Sequence, residues 1–243
     1  MIFLTGDTHG MTDWHKLSTR QFPLQKQLTR DDFVIICGDF GGVWDGPDSR
    51  QDRYVLDWYE EKPFTTLFVD GNHENHPLLA SYPEESWMGG RIHRIRPHVI
   101  HLMRGEIYTL EGKTFFTFGG APSHDRQWRA EGESWWPEEV ASPEEIERAR
   151  QNLDRVGWKV DYVVTHTIWN TLIAQLGTLL TKKPVPNPTE DFLEEVHYKL
   201  DYQWWFAGHF HLDRMTASEK CCLLYDQVVQ LAPGLPVVNQ EEE

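Results

Sequence analysis

Five apolar stretches, each short enough for one β-strand, run directly into a cluster of Asp, Asn or His. Ile2-Phe3-Leu4 leads to Asp7-Thr8-His9, and Phe33-Val34-Ile35-Ile36-Cys37 leads to Gly38-Asp39. Leu67-Phe68-Val69 leads to Gly71-Asn72-His73-Glu74, and Tyr162-Val163-Val164 to His166. The fifth, Trp204-Trp205-Phe206-Ala207, leads to Gly208-His209-Phe210-His211. In open α/β sheets ligands bind beyond the carboxyl ends of the strands, so these five polar runs are placed to converge. Asp, Asn and His hold pairs of divalent metal ions, and the pattern predicts a dinuclear metal hydrolase. Mixed carboxylate and imidazole donors suit Mn, Fe or Zn better than Mg, which prefers oxygen and keeps its waters.

The intervening sequence sets these strands in an α/β frame. Met1 to Gly6, Asp31 to Gly38 and Phe64 to Asp70 read as strands. Between the last two, Asp48 to Lys62 carries Val55, Trp58 and Tyr59 at helical spacing, which completes a βαβ unit. Glu106 to Leu110 and Lys113 to Phe118 flank Glu111-Gly112, a two-residue hairpin turn, so the sheet becomes mixed in the second half. Ser142-Pro143-Glu144-Glu145 and Asn187-Pro188-Thr189-Glu190 are helix starts. Lys182 to Pro188 reads as a connector.

The 243 residues fit a single domain over 1–236, with 237–243 as a disordered acidic tail. The net charge is −15, from 38 acidic and 23 basic residues. That balance weighs against long nucleic acid as a partner, because gripping a phosphate polymer relies on Lys and Arg displacing counterions. Cys37, Cys221 and Cys222 read as strand residues, not a disulfide framework. Neither a signal peptide nor a membrane span is legible, so a cytoplasmic protein with no membrane partner is expected.

Taken in order, the five blocks resemble the pattern of the calcineurin-like metallophosphoesterase superfamily: D-x-H, G-D, G-N-H-[D/E], a lone His, and G-H-x-H. Gly6-Asp7-Thr8-His9-Gly10 and Gly71-Asn72-His73-Glu74 look most like its serine/threonine phosphatase branch, whereas Gly208-His209-Phe210-His211 is similar to bacterial phosphoesterases. The resemblance implies a layered αββα sandwich with mixed central sheets, helices outside, and a dinuclear site at the strand ends. It implies that Asp7, His9 and His211 hold one metal, that Asn72, His166 and His209 hold the other, and that Asp39 bridges them. The nucleophile is then a metal-bridging hydroxide attacking in line, and His73 protonates the leaving group. A purely positional role for His73 beside the metals is the alternative.

One block departs from the family. Where the phosphatase branch reads G-D-x-x-D-R-G, this chain has Gly38-Asp39-Phe40-Gly41-Gly42-Val43-Trp44. The Asp that orients the catalytic His is replaced by Gly42, which leaves Asp45 or Glu74 as substitutes. The phosphate-gripping Arg is absent, and His124, Arg126 and Arg129 are candidates to replace it. Trp128, Trp135 and Trp136 either wall a substrate pocket or pack. The expected activity is hydrolysis of a phosphate ester in a phosphoprotein, nucleotide or metabolite. The GDTHG and GNHE blocks point to phosphomonoesters, and the missing Arg points back to diesters such as cyclic nucleotides or dinucleotides. A non-catalytic interaction scaffold of the same fold is the alternative from another class, disfavoured because no expected ligand is missing. The oligomeric state stays open.

Overall fold

The computed structural model describes residues 1–177, 187–232 and 237–238. Its first half runs β1 (Ile2–Thr5), β2 (Phe33–Ile36), α1 (Arg50–Glu60), β3 (Thr65–Phe68), α2 (His76–Ala80), β4 (Glu84–Trp87), β5 (Gly90–Arg96) and β6 (Val99–Leu102). There follow β7 (Glu106–Leu110), β8 (Lys113–Phe118), α3 (Pro143–Arg155), β9 (Tyr162–Thr165), α4 (Asn170–Leu176) and α5 (Pro188–Lys199). Strands β10 (Trp204–Ala207), β11 (Arg214–Thr216), β12 (Cys221–Leu223), β13 (Val229–Gln230) and β14 (Val237–Val238) complete the order.

These strands build two mixed sheets, ordered β14-β13-β1-β2-β3-β6-β5-β4 and β11-β12-β10-β9-β8-β7. The middle of each is parallel: β1, β2, β3 and β6 in the first, β8, β9, β10 and β12 in the second. Alternate residues of one strand serve different layers. Phe33 and Ile35 of β2 pack between the sheets, while Val34 and Ile36 pack in the layer that also contains Val55, Leu56 and Tyr59 of α1. Trp204 and Phe206 of β10 likewise face the inter-sheet layer, and Trp205 and Ala207 face the layer built with α3, α4 and α5. Covering both faces requires a side chain free of charge at every position, which is why these strands read as unbroken apolar runs. The result is the expected αββα sandwich.

Local signals hold where they were strongest. Helix α1 starts behind Ser49, whose side chain accepts from the Gln51 and Asp52 amides. Val55 and Tyr59 are buried, while Trp58 is half-buried and stacks on Trp14 with ring centroids 4.3 Å apart. The capping box of α3 is complete: Ser142 Oγ accepts from the Glu145 amide at 3.2 Å, and Glu145 Oε2 accepts from the Ser142 amide at 2.8 Å. Glu111 and Gly112 both take positive φ, 49° and 73°, as a two-residue hairpin between β7 and β8 demands. All three cysteines are buried free thiols. The connector expected over Lys182 to Pro188 lies outside the described residues except at its last two positions. At the other boundary, the sheet runs two residues into the stretch expected to be disordered. The backbone of Val237–Val238 pairs antiparallel with Val229–Gln230, and residues 239–243 lie outside the described residues. No helix among the described residues is long and apolar enough to cross a membrane.

Candidate metal centre

The polar runs that follow β1, β2, β3, β9 and β10 meet at one place. Asp7, His9 and His211 bring potential ligand atoms within 4.8 Å of one another, as do His9, Asp39 and His73, and again Asp7, Asp39 and His166. The three groups share members, so they form one continuous cluster. His9 Nε2 lies 3.3 Å from Asp39 Oδ2, and His166 Nε2 lies 3.4 Å from Asp39 Oδ1. Asn72 Oδ1 is 3.1 Å from His166 Nε2, and the His209 ring centroid is 4.9 Å from that of His166. All seven expected ligands are therefore brought together, with Asp39 between the His9 side and the His166 side. Asp7, Asp39, Asn72, His166 and His209 are buried, whereas the His211 side chain is 47% exposed and opens the cluster to solvent.

The chain accepts strain to build this cluster. Eight non-glycine residues have positive φ among the described residues, and four of them are His9, Asp39, His209 and His211. Residues held in this region cost free energy and persist only where their surroundings over-determine them. Two glycines of the motifs are required by close approach. A Cβ at Gly71 would overlap Asp39 Oδ1, and one at Gly208 would overlap Asp7 Oδ1. Those carboxylate oxygens instead accept neighbouring backbone amides, His73 N at 2.7 Å and His209 N at 2.9 Å.

Electrostatics favour a cation at this place. Burial disfavours the charged form of Asp39, but His166, His73 and His9 outweigh it and hold the carboxyl well below the usual range. Burial also disfavours protonation of His9 and His166, yet Asp39 and Asp7 raise both to about 9. Asp7 Oδ2 is buried without a hydrogen-bond donor, and His211 Nε2 lies 3.1 Å from it outside hydrogen-bond geometry. A buried, orphaned carboxylate oxygen facing imidazole nitrogens is what a metal ligand set needs. The outer contacts fix the ring nitrogens. His166 Nδ1 donates to the Cys37 carbonyl at 2.9 Å and His9 Nδ1 donates to Asp13 Oδ2 at 2.7 Å, which turns each Nε2 inward.

The three candidates for phosphate binding separate. Arg129 reaches the centre, with Nη1 3.0 Å from His73 Nδ1 and Nη2 3.1 Å from His73 Nε2. Arg126 is committed elsewhere: its Nε donates to the buried Glu139 carboxylate at 2.6 Å, and its guanidinium covers the Trp135 ring. His124 stacks on His209 with centroids 5.8 Å apart. Trp136 is buried and packs edge-on against Trp44, whereas Trp128 is 83% exposed. Neither residue expected to orient His73 is placed to do so. Glu74 is buried and accepts from the Phe40 and Gly41 amides, and Asp45 is exposed beside Ser49. Burial, joined by the Arg129 charge, lowers the His73 pKa despite the pull of Asp39.

Several contributors carry no sequence motif. Ser123 and Glu139 back Asn72, Asp13 backs His9, and the buried Lys16 donates to the Asp7 carbonyl at 2.5 Å. Just beyond the cluster, Arg104 Nε donates to buried Asp70 at 2.8 Å and His101 Nε2 lies 3.2 Å from the same carboxylate. A separate cavity of about 360 Å³ borders Asp70, His76, His93, His101 and Arg104, and none of the expected ligands lines it. Ser123 lies 51 residues from Asn72 and Arg104 lies 34 from Asp70, so no local pattern reveals these contacts.

The calcineurin-like phosphoesterase family matches residues 1–213, and the chain belongs to that family. Family membership supports a phosphoester hydrolase. The chain is similar to lariat debranching enzyme A of Xenopus laevis, at 23% identity over 239 residues, covering 87% of this chain and 42% of that protein. The lariat debranching enzyme of Gallus gallus is 22% identical, with 87% and 42% covered. The chain thus spans about two fifths of the length of these curated relatives. Among solved structures, phosphopantetheinyl hydrolase from Mycobacterium tuberculosis aligns with TM-score 0.43 and 16% identity over 98% of this chain and 87% of that one. Calcineurin-like phosphoesterase YfkN from Bacillus subtilis aligns with TM-score 0.44 and 12% identity over the same shares.

Proposed function

We propose that the chain is a divalent-metal-dependent phosphoesterase acting on a small phosphate ester, with phosphomonoesters favoured. The observation that carries this reading is the continuous cluster in which Asp7, His9, Asp39, His73, His166 and His211 bring ligand atoms within reach of shared ions. Asp7, His9 and His211 would hold one ion and Asn72, His166 and His209 the other, with Asp39 serving both. Two bound ions supply Lewis acidity, lowering the pKa of a water and neutralising phosphoryl charge. Manganese, with iron or zinc as alternatives, suits this donor set.

The chain's own residues do the remaining work. Asp13 and the Cys37 carbonyl hold the Nε2 atoms of His9 and His166 inward. Arg129 binds a non-bridging phosphate oxygen, because an anion competes well for guanidinium N–H groups that now face an imidazole. His73 hands a proton to the leaving oxygen. It lies beside Asp39 and can carry a proton to a group bound there.

Arg129 is what favours monoesters. It supplies the additional cationic donor that the sequence lacks after Gly38-Asp39, and a dianionic monoester needs such a donor more than a diester does. A diester is the second reading, supported by the likeness to proteins named lariat debranching enzymes. The net charge of −15 weighs against long nucleic acid in either case. The test is a panel of phosphomonoesters and phosphodiesters assayed with Mn restored to metal-stripped protein. Hydrolysis that requires Mn and favours monoesters is expected. Two bound ions with no hydrolysis of either class would overturn the enzymatic reading in favour of a scaffold.

A further inference from the structure

We infer that Ser123 and Glu139 are positioning residues that decide which end of the Asn72 amide faces the metal centre. The inference rests on the reading of Asn72 as a ligand. An amide has one end that can ligate a cation and one that cannot, and the two differ little in shape. Something outside the ligand set must choose between them.

The choice is made by a short relay of buried groups. Asn72 Nδ2 donates to Ser123 Oγ at 3.1 Å, and Ser123 Oγ donates to Glu139 Oε2 at 2.7 Å. Asn72, Ser123 and Glu139 are respectively 4%, 7% and 0% exposed. Glu139 Oε1 accepts from the Ser123 amide at 2.7 Å and from Arg126 Nε at 2.6 Å, so this carboxylate is surrounded by donors. It can only accept, and it takes the single hydrogen of the Ser123 hydroxyl. The remaining lone pairs of Oγ can then only receive a hydrogen from Asn72. That places Nδ2 outward and Oδ1 inward, 3.1 Å from His166 Nε2. A flipped amide would set Oδ1 against the Oγ lone pairs and turn two N–H groups on the cations, leaving buried polar groups unpaired at both ends. Ser123 and Glu139 belong to the segment between β8 and α3 that also carries Arg126 and Arg129, so one stretch of chain orients a metal ligand and presents the phosphate donor.

The experiment is titration calorimetry of Mn into metal-stripped protein, comparing wild type, Ser123→Ala, Ser123→Thr, Asn72→Asp and the double variant. In wild type two ions bind. Ser123→Ala should keep one tight ion and weaken the other about 10–100-fold, the usual effect of removing a partner behind a ligand, and Ser123→Thr should restore it. An aspartate at position 72 presents oxygen at both ends, so adding Ser123→Ala to Asn72→Asp should change the weaker affinity by less than about twofold. Unchanged affinity in Ser123→Ala, or an equal loss in both backgrounds, overturns the inference, the latter because it marks a packing role. Should Ser123→Ala not fold, Glu139→Gln, which can face the hydroxyl with a donor, carries the same expectation. Failure of wild type to bind two ions would instead overturn the reading of the site itself.

Discussion

The guanidinium of Arg129 lies along the ring of His73, with Nη1 3.0 Å from Nδ1 and Nη2 3.1 Å from Nε2, and its Nε is held by Asp125 Oδ1 at 2.9 Å. A cationic side chain thus reaches the cluster from the segment between β8 and α3. Arg129→Ala is expected to raise KM and to lower kcat/KM on phosphomonoesters by about 1.5–3 kcal/mol, the worth of a hydrogen bond to a charged group. Diester turnover should change much less. Steady-state kinetics on both classes check this, and equal losses would remove the arginine from monoester selection.

His73→Asn should separate metal binding from proton transfer. Metal content is expected to survive while turnover falls about 10²–10⁴-fold, the range for losing a general acid. The loss should shrink for nitrophenyl esters, whose leaving group needs little protonation. A loss of bound metal alongside turnover would show that His73 serves its neighbours Asp39 and His9 structurally.

The central strands were legible because both of their faces are covered. Runs such as Phe33-Val34-Ile35-Ile36 admit no polar interruption, so the first polar residue marks the strand end and the crevice together. The edge strand β4, Glu84-Glu85-Ser86-Trp87, is largely exposed and gives no such signal. The convergence of the seven side chains expected as ligands was legible because each sits within a few residues of its strand. What surrounds them was not. The sequence offers His73 an acidic partner at Glu74 beside it or at Asp45 three residues past Gly42, yet the buried Glu74 is turned to the Phe40 and Gly41 amides and the contact comes from Arg129. Ser123 and Glu139 escaped notice for the same reason. Ser123 contacts Asn72 across a long sequence separation and Glu139 contacts Ser123, which no local pattern encodes.

Glu190 provides a test away from the centre. Burial raises its pKa from 4.5 to about 7, although Asn187 and Thr167 donate to it and favour the charged form. The folded protein therefore prefers the protonated carboxyl. This group's contribution to stability is full below pH 4.5 and is lost as the pH rises through about 7. Glu190→Gln keeps an acceptor for Asn187 Nδ2, can donate its amide to the Thr167 hydroxyl, and removes the titration. Relative to wild type it should gain about 1–3 kcal/mol between pH 4.5 and pH 8 in denaturant unfolding. Parallel stability curves over that range would show that Glu190 does not titrate in the folded protein near neutrality.

Asp39 stands between the two halves of the cluster, 3.3 Å from His9 and 3.4 Å from His166. One carboxylate serving two ions is the central claim, and counting the ions tests it most directly. Elemental analysis of Mn-reconstituted protein should give two ions per chain for wild type, and Asp39→Asn should lower occupancy at both positions and abolish hydrolysis. If Asp39→Asn retains both ions and normal turnover, or if wild type takes up none, the account of this site is contradicted.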